Sequence, residues 1–418
     1  MSGTARRVNE LPVGRRVAHW RVRRNMTQQQ FADRLGKSKS WVDKVERGVR
    51  RLERVSSLRE VAEALRIDLE MLLADRAAPA DRAAAGVARG VEGVRAALAR
   101  YHVAAPARPP DVAQVRARLG HAEQSYRHAR YPELLALLPG LLDAAREARA
   151  TCPGRAADGL LASGYGLVAL VLVKVGQGEL AWLAADRGLA VATAAADPWL
   201  AAAATVPLCQ ALRASGRLRS AVEAAVVAAH RVGPCLSGAA PADGPAVRGA
   251  LLIQAALAAA GRGDERAAGE LLSRADEAAR VAGPGGTDGG GFGGEGFGGG
   301  DSGGEGFGWA AVEAARVVAG SALGQVTAAT VRHERLIAGD GWRWLPPEHR
   351  AAYLLDVARL YASAGDGLRA GRALLDAERT ARGEVHDRPA ARDLVGVVAR
   401  SAAAPAALTR LAATLGVT

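Results

Sequence analysis

Five stretches, KVGQGELA, ASGRLRSA, AAGRGDERA, ALGQVTAA and SAGDGLRA, set Gly176, Gly216, Gly261, Gly324 and Gly365 between apolar runs of helical spacing. Alanine follows five residues on in four of them (Ala181, Ala221, Ala329, Ala370) and six on in the third (Ala267). Glycine ends a helix because it takes positive φ without a Cβ clash, and a small residue at fixed distance lets the next helix lie close against the first. One such hairpin cannot bury its own apolar face, whereas stacked hairpins can. The pattern therefore predicts a helical solenoid over 111–418, with an earlier copy at YRHARYPELLALLPGLL, 126–142. Aromatic residues are only 4% of the chain, which suits helices packed through alanine better than a sheet. The expected fold class is all-α.

The glycines lie 40, 45, 63 and 41 residues apart. The long interval contains 283–308, where 16 of 26 residues are glycine and GGEGFG occurs twice. Without it the interval is 37, so 283–308 reads as a disordered insertion in a loop between repeats. Ahead of the array, 77–110 reads as a linker in which Val91, Val94 and Leu98 form one face of a short helix before AAPARPP.

The first 76 residues differ in kind. They carry 18 Lys/Arg against 10 Asp/Glu, or +8 of the chain's +12, and hold three of its four lysines, Lys37, Lys39 and Lys44. A small basic unit on a nearly neutral body suits a polyanionic partner. Thr27 and Gln30 form a capping box, with Met26 and Phe31 as its hydrophobic staple. Gly36 stops that helix, Ser38 caps the next, and Gly48 ends it. Ser57 and Glu60 read as a further capping box, ahead of Leu58, Val61, Ala62 and Leu65. Two helices crossing at about 90–120° need a small residue at the crossing, supplied by Ala32, and apolar residues inside the second helix, Val42 and Val45. Its outer face then carries Lys39, Ser40, Asp43 and Lys44.

TQQQFADRLG and SWVDKVERG, followed by LREVAEALRIDLEMLL, resemble the XRE/Cro-repressor helix-turn-helix family over 26–73. The resemblance implies a five-helix DNA-binding domain at 1–76. Gln28 would grip a phosphate, Lys39, Ser40 and Lys44 would face base edges beside Lys37 and Ser38, and Asp43 would meet a cytosine amino group. Arg50, Arg51 and Arg54 would touch the DNA backbone or a minor groove. Lysines where the family often has glutamine or asparagine shift the expected readout toward guanine or plain phosphate. With AWLAADRGLAVA and the stretch from WLPPEHR to LLDAER, the layout resembles actinobacterial-type regulators that join such a head to a tetratricopeptide-like body. That implies double-stranded DNA as partner, a homodimer, and a small-molecule, peptide or protein effector on the body. Gln210, Gln254, Tyr165, Trp199, Tyr353 and Arg332 are candidate effector contacts. The alternative is an interaction scaffold or antitoxin-like partner with weak DNA binding.

The eight histidines make no metal-ligand spacing, and the chain has no nucleophile elbow, Walker motif or dinucleotide fingerprint. Neither an enzyme nor a cofactor is expected. Cys152, Cys209 and Cys235 lack C-x-x-C spacing and read as buried thiols in a reducing compartment. The N-terminus has no apolar signal region, and the longest apolar run, 160–173, is short for a membrane span. A cytoplasmic protein is expected.

Overall fold

The computed structural model describes residues 13–50, 52, 55–69, 72, 79–101, 111–233, 241, 243–282 and 307–417. The chain divides into two compact units, Met1–Arg82 and Ala83–Thr418. Among the described residues there is no strand.

The smaller unit contains α1 (Val13–Arg23), α2 (Gln28–Leu35), α3 (Lys39–Glu46) and α4 (Val55–Leu65). Val17, Phe31, Ala32, Val42, Leu58, Val61 and Leu65 form its core, with Leu72 buried among them. Leu72 is what is described of the fifth expected helix, whose other residues lie mostly outside the described set. Ser57 does not cap α4, which already runs at Val55, so Ser57 sits inside its first turn.

The boundary between the units falls inside α5 (Pro79–Leu98), and among the described residues the larger unit continues as six helical hairpins. These are α6 (Val112–Arg127) with α7 (Tyr131–Thr151), α8 (Arg155–Lys174) with α9 (Gly178–Ala194), and α10 (Pro198–Ala214) with α11 (Leu218–Val232). The next three are α12 (Gly244–Gly261) with α13 (Glu265–Ala282), α14 (Trp309–Ala322) with α15 (Val326–Ala338), and α16 (Pro347–Ser363) with α17 (Gly367–Thr380). Three closing helices follow: α18 (Arg382–His386), α19 (Pro389–Ala399) and α20 (Ala406–Leu415). One apolar cluster runs from Val91 and Leu98 of α5 to Leu408 and Leu415 of α20.

Residues 77–110 are therefore more than a linker with a short helix. α5 spans 20 residues, and its inner face, Val91, Val94, Ala97 and Leu98, is buried in the body's core. A Cβ on Gly90 would lie 2.6 Å from that of Leu135, so α5 lies almost backbone-close on α7. Residues 102–110 and the expected insertion at 283–306 fall outside the described residues.

Each hairpin turns on a residue with positive φ: Ala129, Gly176, Gly216, Gly263, Gly324 and Gly365. In all six, the residue after it donates its amide to the carbonyl five back, as Gln177 does to Leu172 at 2.8 Å. The third turn uses Gly263, not Gly261, which still belongs to α12. With that correction the spacing is uniform: Leu134, Ala181, Ala221, Ala268, Ala329 and Ala370, each five residues past the turn, are all buried. Each lies where the second helix of a pair meets the first.

Ala196, exposed between α9 and α10, also has positive φ (54°). A Cβ in that region costs about 1–2 kcal/mol. Ala196→Gly is therefore expected to stabilise the body by about 1 kcal/mol in denaturant unfolding, and Gly216→Ala to destabilise it by a similar amount. Nothing lies within 4 Å of a Cβ at Gly216, so the second effect is purely one of backbone.

Cys209 is buried, with its Sγ 3.5 Å from the Ala221 carbonyl, and burial pushes its thiol up to about 12. Cys152 is exposed, contrary to expectation, because it closes the solvent-facing end of α7; Cys235 lies outside the described residues. α8 and α12 are long and apolar enough to cross a membrane. Their apolar surface is spent instead on neighbouring helices, with 78% of the α8 window buried.

Candidate nucleic-acid interface

The turn between α2 and α3 is built as its residues dictate. The Gln30 amide donates to Thr27 Oγ1 at 3.2 Å, and the Thr27 amide donates to Gln30 Oε1 at 2.9 Å. Gly36 takes φ 62°, and the Lys37 amide closes the turn on the Ala32 carbonyl at 3.0 Å. Ser38 Oγ accepts from the Trp41 amide at 3.2 Å, so this hydroxyl caps α3. Ala32, Val42 and Val45 are buried as the crossing requires.

From the other side α1 buttresses α3. A Cβ on Gly14 would come within 2.0 Å of the Val45 carbonyl oxygen, so the two backbones touch there. Glu46, at the end of α3, is nearly buried. It accepts from Arg21 Nε at 2.6 Å, Arg21 Nη2 at 3.0 Å and Gln28 Nε2 at 2.8 Å. Arg21 also donates to the Met26 carbonyl at 2.6 Å. This knot fixes α1, α2 and α3 to one another. Gln28, expected at a phosphate, thus has its amide nitrogen turned toward Glu46.

Opposite Val42 and Val45, Lys39, Ser40 and Lys44 are exposed on one face of α3, and Lys37 stands exposed just before it. Asp43 is half-buried, its carboxylate 2.5 Å from Nη2 of Arg47, so it already has a cationic partner. Arg47 lies on the same face and was not among the candidate readers. The 3.6-residue helical repeat, which places position 47 beside 40, 43 and 44, was the signal for it. The Arg50 guanidinium sits over the Trp41 ring, 5.9 Å from its centroid. Arg51 and Arg54 lie outside the described residues.

In the body, the candidate effector contacts do not converge. Gln254 Oε1 accepts from Arg213 at 2.7 Å, and the Tyr165 hydroxyl takes two bonds from Arg146. Tyr353 is buried against His333 at 2.9 Å, Arg332 pairs with Glu313, and Trp199 packs on the core. An open groove of about 570 Å³ lies elsewhere, among α9, α10 and α11, with Leu189, Ala192, Leu208 and Val227 on its walls and Asp197, Glu223 and Arg231 as its charged groups.

Residues 12–74 match the family model described as a helix-turn-helix domain. No curated protein matches the chain. Among solved structures, it is similar to PlcR of Bacillus thuringiensis in complex with the peptide PapR7 and DNA, at 12% identity over 64% of this chain and 94% of that one, with a TM-score of 0.29. It is also similar to aspartyl phosphate phosphatase F of Bacillus subtilis, at 12% identity over 88% and 93%, with a TM-score of 0.43. Scores this low assign the chain no function. Its architecture is plain nonetheless: residues that match a helix-turn-helix domain, followed in the chain by an array of helical hairpins.

Proposed function

We propose that the protein is a sequence-specific DNA-binding transcription regulator. The observation that carries this reading is the outer face of α3. Lys39, Ser40, Lys44 and Arg47 project on one side of a helix held rigid by the Ser38 cap and the contact with α1 at Gly14. A helix so presented enters a major groove, its cations meeting phosphates and guanine edges. Lys37 and Arg50 flank it as backbone contacts, together with the second Nε2 hydrogen of Gln28; Arg51 and Arg54, outside the described residues, are given the same role from the sequence alone. Two heads of a homodimer would read half-sites about 34 Å apart. The array joins the copies and responds to an effector; the groove among α9, α10 and α11 has the volume and apolar lining of a small-ligand site.

Selection from a random duplex pool, followed by a salt titration on the enriched sequence, tests the reading. Affinity is expected to fall with log salt by about 0.9 for each phosphate neutralised. Affinity indifferent to salt, or a pool that yields no enriched sequence, would leave the interaction scaffold as the better description.

A further inference from the structure

The fourth lysine, Lys174, is the only one outside the head, and it is buried at the end of α8. Its ammonium pairs with Glu348 at the start of α16 and with Glu384 of α18, the latter at 3.0 Å. Glu384 is fully buried and also takes the Tyr131 hydroxyl and the Arg388 guanidinium. The Tyr126 hydroxyl donates to Glu348 at 3.4 Å. Two cations and two carboxylates therefore balance in one place, drawn from hairpins at opposite ends of the array.

The backbone repeats the message. A Cβ on Gly383 would lie 1.9 Å from the Ala129 carbonyl oxygen, so α18 touches the turn of the first hairpin. Pro389, opening α19, lies against the turn at Gly176. A solenoid whose repeats met only their neighbours would have no such contacts. Here the last helices return to the first two turns, and the seam they make sets these buried charges inside the apolar cluster that runs from α5 to α20.

We propose that the Lys174–Glu348–Glu384–Arg388 cluster is a clasp that holds the array closed, joining its first hairpins to α16, α18 and α19, and opens as a unit. Buried ion pairs suit this role. They contribute little more than apolar packing while intact, but removal of one partner leaves a charge that must find water. The cheapest route to water is to part the seam, since the helices on either side still pack on their neighbours in sequence. Lysine suits the place because its compact ammonium fits between two carboxylates, where a planar guanidinium would need more room.

Hydrogen exchange on the full chain tests this, comparing wild type with Lys174→Met, Lys174→Arg and the charge-balanced Lys174→Met/Glu384→Gln. In Lys174→Met, amides of α18 and of 126–131 are expected to exchange together, about a hundredfold faster, while those of α12 and α13 keep their protection. The balanced variant should recover most of the protection, and Lys174→Arg only part of it. Unchanged exchange in Lys174→Met would overturn the clasp. So would acceleration spread evenly to α12 and α13, the mark of ordinary core damage. Should Lys174→Met fail to fold, the balanced variant carries the test: local protection near wild type supports the clasp, and loss of fold there too refutes it.

Discussion

Replacing Glu46 by alanine is expected to melt the head at ambient temperature and abolish DNA binding, with the body's unfolding transition unmoved. The carboxylate accepts three hydrogen bonds from two helices, and its side chain is 7% exposed beside an Arg21 that is 13% exposed. Removing it strands a guanidinium that is largely out of water, a loss of about 3–5 kcal/mol. A domain of this size has only about 5 kcal/mol of stability in all. Glu46→Gln keeps the shape and some of the hydrogen bonds but not the charge, and should fall between. Circular dichroism melts of the full chain, with the body's transition as internal reference, read the effect. A head transition shifted by less than about 1 kcal/mol would mean that the pair is screened as a surface pair is.

That knot was invisible in the sequence, and the reason is instructive. The elements of α2 and α3 that could be read (Thr27, Gln30, Gly36, Ser38) act within one turn of themselves, and local rules describe them. Arg21 and Glu46 are 25 residues apart, and nothing at either position announces the other. The same divide runs through the body. AAGRGDERA offers two glycines, and only strict adherence to the five-residue spacing selects Gly263 over Gly261. Ala129 and Ala196 hold left-handed turns without glycine, so no residue type marks them. The apolar face of α5 was legible, but its destination on α7 was not, because Gly90 and Leu135 meet only in the folded chain. In sequence Lys174 marks only the end of an apolar run, its partners 174 and 210 residues away.

Alanine at Lys39 and Lys44 is expected to have the second large effect, and to act on recognition rather than folding. Both side chains are exposed, so the head's melting should hold within about 0.5 kcal/mol. On the selected duplex, each lysine that makes a good base contact should lose about 1–3 kcal/mol of discrimination. A lysine that touches only phosphate should instead weaken all sequences alike and lower the salt slope by about one. Asp43 and Arg47 complicate the face in a useful way. Their ion pair, one helical turn apart and partly exposed, is worth only about 0.3–0.5 kcal/mol, so a phosphate can compete for Arg47. Asp43→Ala should therefore free Arg47 and tighten binding to unrelated DNA while flattening preference at any cytosine that Asp43 reads. Measured across single-base variants of the selected site, these three changes separate reading from gripping. If Lys39→Ala/Lys44→Ala keeps the wild-type base preference, α3 is not the reading helix, whatever its charge.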